Sequence, residues 1–399
     1  MDDIQGILNA MIRTAVDPQT AAVAIAVIGL NIHFGYTGLL NIGQSAFMLL
    51  GAYGFAISIT KGWPLVVAII VGLLVAFVFA LVLGVPTLKL RGDYLAIVTI
   101  SAAEIVRYVG RSVGYEKLFN LTGGAQGIPG SKYRGPFTSL SFFPNGDTQV
   151  LTFNYTDVAG GDSTLVRLVG WLVVVGLIWT ALRIGRGKMG LEGSARTVAL
   201  VGITVLTILV VFFLAPVSQQ NTGVNGWWFT VVTWVIVAIS LVVVLGLTRS
   251  PWGRALKGVR EDEDAMRSLG KNVFAIKMQA LIIGGLFGAV GGMMYVLPAT
   301  VQPDSLGRSI TFFCYTALLL GGAATIWGPV LGSLIFFVGR VAIIGIANTY
   351  LSSDKYINVM NGQQTSQFAF IVVGVALMLL VIFRPQGILG DKRELRFNV

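Results

Sequence analysis

The feature that most constrains this sequence is a succession of apolar stretches long enough to cross a bilayer. One helical crossing takes about 20 mostly apolar residues. Such stretches recur near residues 20–35, 42–60, 63–85, 94–110, 165–184, 196–215, 227–248, 274–298, 310–325, 328–349 and 366–384. Lipid supplies no hydrogen-bond partners, so a spanning backbone must pair its own N–H and C=O groups, and runs of this length are helices. The short alternating strands of a membrane barrel are absent from the sequence. The expected fold is therefore all-α, a polytopic transmembrane helical bundle of about eleven spans (ten to twelve), forming a single domain over 1–399. Only 12% of residues are charged, about half the fraction in soluble domains. The fifty glycines suit helices packed closely in lipid.

The formal charge of +10 reads as loop charge on a membrane protein, with lipid as the partner and no nucleic acid. Lys and Arg gather in 249–277, in 183–196, in the short connection 86–92 and in the tail from Arg384. Eleven alternating crossings put all four on one face, which the positive-inside rule makes cytoplasmic, and place the N-terminus outside. The opening MDDIQGILNA lacks the basic stretch of a secretory signal, and the one cysteine, Cys314, has no disulfide partner. The long connection 111–164 then lies outside the cytoplasm, where "TQVLTFNYT" (148–156) suits a strand or hairpin. A plain surface loop and a partner-docking surface both fit it.

Polar residues at membrane depth are candidates for a solute pathway. "GYTGLLNIGQSAFMLLGAYG" (35–54) offers Asn41, Gln44, Ser45 and Tyr53, although close packing through its glycines explains the segment equally. Glu104 lies within a span with Arg107 three residues on, so an internal pair is the simpler account. "NLTGGAQGIPG" (120–130) places Thr122, Gly124 and Gln126 in a turn-rich stretch that suits either a pathway mouth or a loop. His33, the sole histidine, lacks the company of a metal site and reads as a packing hydrogen bond. Arg340 is a lone intramembrane cation, and Trp227 and Trp228 are interfacial anchors.

The segment "VREDEDAMRSLG" (259–270) interrupts this pattern with a dense run of charge. Arg260, Glu261, Asp262, Glu263 and Asp264 precede Ala265, Met266, Arg267, Leu269 and Gly270. One or two short helices fit 253–272, with acids early and bases late as the helix dipole favours, and with Gly270 closing the C-terminus. Arg260–Asp264 and Glu263–Arg267 have ion-pair spacing, while Ala265, Met266 and Leu269 make a small apolar face. A solvated loop carries the charge; a docking surface accounts for the face as well. No GxxxxGK[ST] phosphate loop occurs in the chain.

"DAMRSLG" (264–270) resembles the cytoplasmic EAA loop of ABC importer permeases, with Asp264 for the usual Glu and Met266 for an Ala. The wider phrase "RSPWGRALKGVREDEDAMRSLGKNVFAIK" (249–277) resembles the same loop in the high-affinity branched-chain amino acid permeases, in their M-type subunit. "GLLNIGQSAFMLLGAYGFA" (38–56), "LRGDYLAIVTISAAEIVRYV" (90–109) with "NLTGGAQGIPG", and "LGGAATIWGPVLGS" (320–333) with "FRPQGILG" (383–390) resemble that family in the same order. The likeness covers most of 20–130 and 227–390; between them, 131–222 departs through a longer external part and an extra apolar pair.

The resemblance implies a permease in the cytoplasmic membrane of a bacterium or archaeon, with 249–273 as its coupling loop. Its expected partners are a related second permease subunit, two ATPase subunits and an extracytoplasmic substrate-binding protein. No cofactor is expected on this chain, ATP with Mg belonging to the ATPases, and no catalytic or metal site. The implied cargo is branched-chain amino acids, with urea, short amides and other amino acids as alternatives. An ion-coupled transporter would need intramembrane acids, of which Glu104 alone qualifies. A membrane enzyme would need an acid or metal constellation, and 261–264 is the sole acidic cluster.

Overall fold

The computed structural model describes residues 2–88, 92–111, 121–141, 227–351, 361–383 and 386–390, with scattered helical residues between 172 and 206. The described chain is helical, and its one β-type contact is an isolated antiparallel bridge between Ile128 and Val301. The apolar pair 165–184 and 196–215 lies largely outside the described residues, and the strand expected at 148–156 lies wholly outside them.

The other nine apolar stretches are helices. After α1 (Asp2–Val16), α2 (Pro18–Leu30) starts where Asp17 accepts a 3.0 Å bond from Gln19 N, and it runs directly into a π-helical turn, Asn31–Tyr36. Then come α3 (Gln44–Thr60), α4 (Leu65–Thr87), α5 (Gly92–Arg111) and the one-turn α6 (Gly135–Thr138). The second half holds α7 (Trp227–Arg249), α8 (Pro251–Glu261), α9 (Glu263–Ser268), α10 (Val273–Val296), α11 (Arg308–Gly321), α12 (Gly328–Leu351) and α13 (Gly362–Phe383). Among the described residues, Pro18–Tyr36, Leu65–Thr87, Trp228–Arg249, Val273–Val296 and Gly328–Leu351 are both long and apolar enough to span. The helix α1 was not expected from the sequence; it packs along α12, with Ile7 against Gly345.

Contacts with α10 give the direction of each neighbour. Gly29 meets Gly284 and Ala22 meets Gly291, so α2 runs antiparallel to α10. Gln44 lies at Gly288 and Met48 at Gly292, so α3 runs parallel to it. On α4, Gly72 lies by Met293 and Gly84 by Met278, which reverses direction again; α5 returns, with Thr99 near Gly43 and Gly110 near Tyr53. In the second half, α11 descends from Thr311 beside Ser45 to Ala324 beside Asn31. There α12 turns upward, and the stretch after α13 comes back to Gly322.

The two halves therefore carry the same pattern in opposite senses. One is α2, α3, α4, α5 and the other α10, α11, α12, α13, an inverted repeat of the kind transporters use. In each, the second helix is short. With 17 and 14 residues, α3 and α11 span roughly 25 and 21 Å at 1.5 Å per residue, against a ~30 Å hydrocarbon core. Each starts inside the bundle after an irregular stretch, 37–43 or 297–307, with a glycine at its N-cap, Gly43 or Gly307.

The centre is α2 against α10, where small residues bring backbones together. A Cβ on Gly291 would strike the carbonyl of Ala22 and one on Gly284 the carbonyl of Gly29, while on the α3 side one on Gly292 would strike the carbonyl of Met48. Outward, Val66, Ile70 and Leu74 on α4 and Val235, Ile239 and Val242 on α7 are exposed aliphatic side chains, as a lipid-facing surface requires.

Candidate functional site

Three groupings of polar residues stand out: a charged knob at one end, a buried polar knot at the break in α2–α3, and a ladder of ion pairs between α5 and α11. The knob lies at the end where α7 stops and α10 begins. The end of α4, the start of α5 and residues 386–390 after α13 sit at that same end.

The knob is built from local signals. Ser250 caps α8, accepting from Gly253 N at 3.4 Å, with Pro251 at the first helical position. Asp262 then adopts an extended backbone and ends the helix. Its carboxylate accepts from Asp264 N and Ala265 N at 2.9 and 3.0 Å, which starts α9 at once. Gly270, at φ +73°, closes α9 in a Schellman arrangement: Gly270 N donates to Arg267 O at 2.9 Å and Lys271 N to Met266 O at 3.1 Å.

Because Asp262 separates α8 from α9, the i,i+4 geometry expected for Arg260–Asp264 does not arise. Arg260 turns inward and donates to Gly35 O at 2.5 Å. Glu263–Arg267 does approach, at 3.6 Å, and Arg267 also pairs with Asp264 at 3.1 Å. Lys277 on α10 reaches back to Glu263. The expected apolar face divides: Met266 lies on Gly258 of α8, whereas Ala265 and Leu269 point outward, Leu269 being 73% exposed. Glu261 is exposed beside them, and no residue of α9 is buried.

The knot gathers Asn41, Gln44 and Ser45, all buried. Asn41 Oδ1 accepts from Gly43 N at 2.9 Å, and Asn41 Nδ2 donates to His33 Nδ1 at 3.1 Å. His33 Nε2 faces Leu281 O at 3.1 Å, so the proton sits on Nε2, because a carbonyl only accepts. Gln44 Nε2 donates to Ala26 O and Gly284 O at 3.1 and 3.3 Å. Thr99 Oγ1 accepts from Ile42 N and Thr311 Oγ1 from Ser45 N, each at 3.0 Å. Irregular backbone at membrane depth needs such partners. These side chains thus satisfy the break rather than face an open space.

Of the external candidates, Thr122 accepts from Gly124 N at 3.3 Å, Gly124 is buried and Gln126 is exposed. They belong to a cover, 121–138, held on the end of α10 by the Ile128–Val301 bridge and by Tyr133, whose hydroxyl donates toward Val296 O and Ala299 O. Burial pushes the Tyr133 phenol up from its ordinary range.

The ladder confirms the Glu104–Arg107 pair, at 2.7 Å, and extends it to Asp304 and Arg308. The sequence reading missed these two residues, along with Thr99, Thr311 and Gly35. The available signal was their place, an acid and a base at the mouth of the 310–325 apolar run. Tyr53 lies beside this ladder, 7% exposed. Arg340 stacks its guanidinium over Phe370 at 4.9 Å.

Comparison with known proteins decides what this architecture belongs to. The family described as branched-chain amino acid transport system / permease component matches residues 18–383, nearly the whole chain. The chain belongs to this permease family. The chain is 27% identical over 371 residues to the high-affinity branched-chain amino acid transport system permease protein LivM of Escherichia coli K12, covering 92% of this chain and 67% of that one. To LivM of Salmonella typhimurium it is 26% identical over 388 residues, 96% of this chain and 71% of the other. A shorter match, 29% over 136 residues, 30% of this chain and 41% of the relative, is to the guanosine ABC transporter permease protein NupQ of Bacillus subtilis. No solved structure matches the chain. As a member of the permease family, it is an integral membrane transport component and not an enzyme.

Proposed function

We propose that this chain is the membrane-spanning subunit of an ATP-driven importer of branched-chain amino acids in the cytoplasmic membrane of a bacterium or archaeon. Two ATPase subunits, which carry the ATP and Mg, seat on 259–270. A related second permease subunit lies alongside, and an extracytoplasmic binding protein delivers the solute to the face covered by 121–138. The observation that carries the reading is α9: a short helix with no buried residue, capped at both ends, that presents Leu269 to solvent. With Met266 alone resting on α8 and Ala265 and Leu269 left in water, fixing this helix brings the chain itself little packing gain. It does suit a groove in a partner, where exposed apolar residues in a charged rim are what binds.

The reading is tested by reconstituting the chain in proteoliposomes with its sister permease, ATPases and binding protein. Leucine uptake should require ATP and should fall at least tenfold in Leu269→Asp and Gly270→Pro, with normal membrane insertion. Uptake that persists without the ATPases and collapses with an ion gradient would overturn it. Competition by valine, urea, short amides and guanosine fixes the cargo.

A further inference from the structure

A run of ion pairs of alternating sign crosses from α5 to the start of α11. Arg111 Nη1 lies 3.7 Å from Asp304 Oδ2, and Asp304 Oδ1 accepts from Arg107 Nη1 at 2.5 Å. Arg107 Nε and Nη2 donate to Glu104 Oε2 at 3.0 and 2.7 Å, and Arg308 Nε approaches Glu104 Oε1 at 3.0 Å. The inner members are mostly covered, but the side chains of Asp304 and Arg308 are 48% and 59% exposed. The Tyr53 hydroxyl beside them, in a residue only 7% exposed, has no hydrogen-bond partner among the described residues and lies next to Gly110.

The depth of this ladder is what makes it informative. The 20 residues of α5 span roughly 30 Å, about the thickness of the hydrocarbon core. Glu104 sits seven residues before Arg111, so it and its partner Arg308 lie about 10 Å inside the end of the helix. At that depth Arg308, its side chain 59% exposed, does not face lipid with its guanidinium, and Asp304, 48% exposed, lies between it and the helix end at Arg111; ionisable groups within the membrane face a bundle interior or a water-filled cavity. The neighbouring exposed stripe of α5 mixes Tyr94, Ser101 and Tyr108 with the aliphatic Ile97, Ile105 and Val109, and so is less uniformly aliphatic than the outward faces of α4 and α7.

We infer that the face formed by α5 and the start of α11 borders water within the membrane, and that Asp304 and Arg308 are the contact points of this chain for a small zwitterionic solute. Each charge already has an internal counter-ion, so an ammonium and a carboxylate each meet a complementary group without either protein charge being bare. That balance suits passage, where solute must be both received and released. The identity of the solute rests on the importer reading; the wetting of the face does not.

The test uses the whole reconstituted transporter with the buried Cys314 replaced by Ala. Single cysteines are placed beside the ladder, Ile105→Cys and Phe312→Cys, and on the aliphatic faces, Val82→Cys and Val242→Cys. Each is reacted with a charged, water-soluble methanethiosulfonate and with a lipid-soluble maleimide. The charged reagent should modify positions 105 and 312 at least tenfold faster than 82 and 242, and millimolar leucine should slow it at 105 and 312. If 105 and 312 react like 82 and 242, or with neither reagent, the inference is overturned. ATP-dependent uptake by those same variants would then leave the importer reading standing. Fast charged labelling in a preparation that takes up nothing with ATP would do the reverse.

Discussion

Arg260 on α8 and Gly35 in the π turn after α2 are joined by a 2.5 Å bond from guanidinium Nη1 to backbone oxygen, across 225 residues of sequence. Gly35 lies two residues from His33, which is bonded to Asn41, which in turn holds the entry to α3. The exposed knob is thus tied by one side chain to the interior break. A partly buried hydrogen bond from a charged donor is worth about 1.5–3 kcal/mol. Replacing Arg260 with Met should therefore weaken coupling about tenfold or more, read as solute transported per ATP in the reconstituted complex, while membrane insertion stays unchanged.

At Gly270 the backbone is left-handed and nothing lies within 4 Å of where a Cβ would be. The demand is conformational rather than steric. Asn tolerates that conformation and Ala adopts it at a cost of about 1 kcal/mol. Proline, with φ fixed near −65° and no N–H, loses the bond to Arg267 O as well. Uptake should therefore rank glycine, Asn, Ala, then Pro, and proteolytic cleavage between 259 and 277 should rank in the opposite order.

Two glycine-to-alanine changes should have opposite signs. At Gly292 the new methyl would meet the Met48 backbone, which cannot move alone; overpacking of this kind costs about 1–3 kcal/mol. At Gly374 on α13 there is open space, and Ala gains about 0.5–1 kcal/mol of helix propensity. Thermal midpoints in detergent should fall for Gly292→Ala and hold or rise for Gly374→Ala.

Tyr133→Phe removes the hydroxyl that bonds Val296 O and Ala299 O but keeps the ring against Phe55. The expected loss is about 0.5–1.5 kcal/mol, concentrated in the cover 121–138. Amide exchange across that segment should quicken while exchange in α10 stays unchanged.

The helices were legible because burying backbone in lipid forces them, and nine apolar runs map onto described helices within a few residues. The pairing of Glu104 with Arg107 was legible for the same local reason, a three-residue spacing on one helix face. The link from Glu104 to Arg308 was not, because it joins elements 204 residues apart through tertiary packing alone. The sequence left one helix or two open over 253–272, because a run of acids suits both; the structure has two, divided where the Asp262 carboxylate turns to cap the next two amides. The inverted repeat leaves a short trace, "NIGQSAF" against "SLGRSIT" (41–47 and 305–311), too brief to stand out among so many apolar residues.

The bond between Ser45 N and Thr311 Oγ1 has a mechanical consequence. It pins the mouths of the two abbreviated helices together at the pseudo-twofold centre, so pulling them apart would strand an amide in oil. Motion that keeps this bond swings the outer members about it, much as two blades of a pair of scissors turn on one rivet that itself stays put.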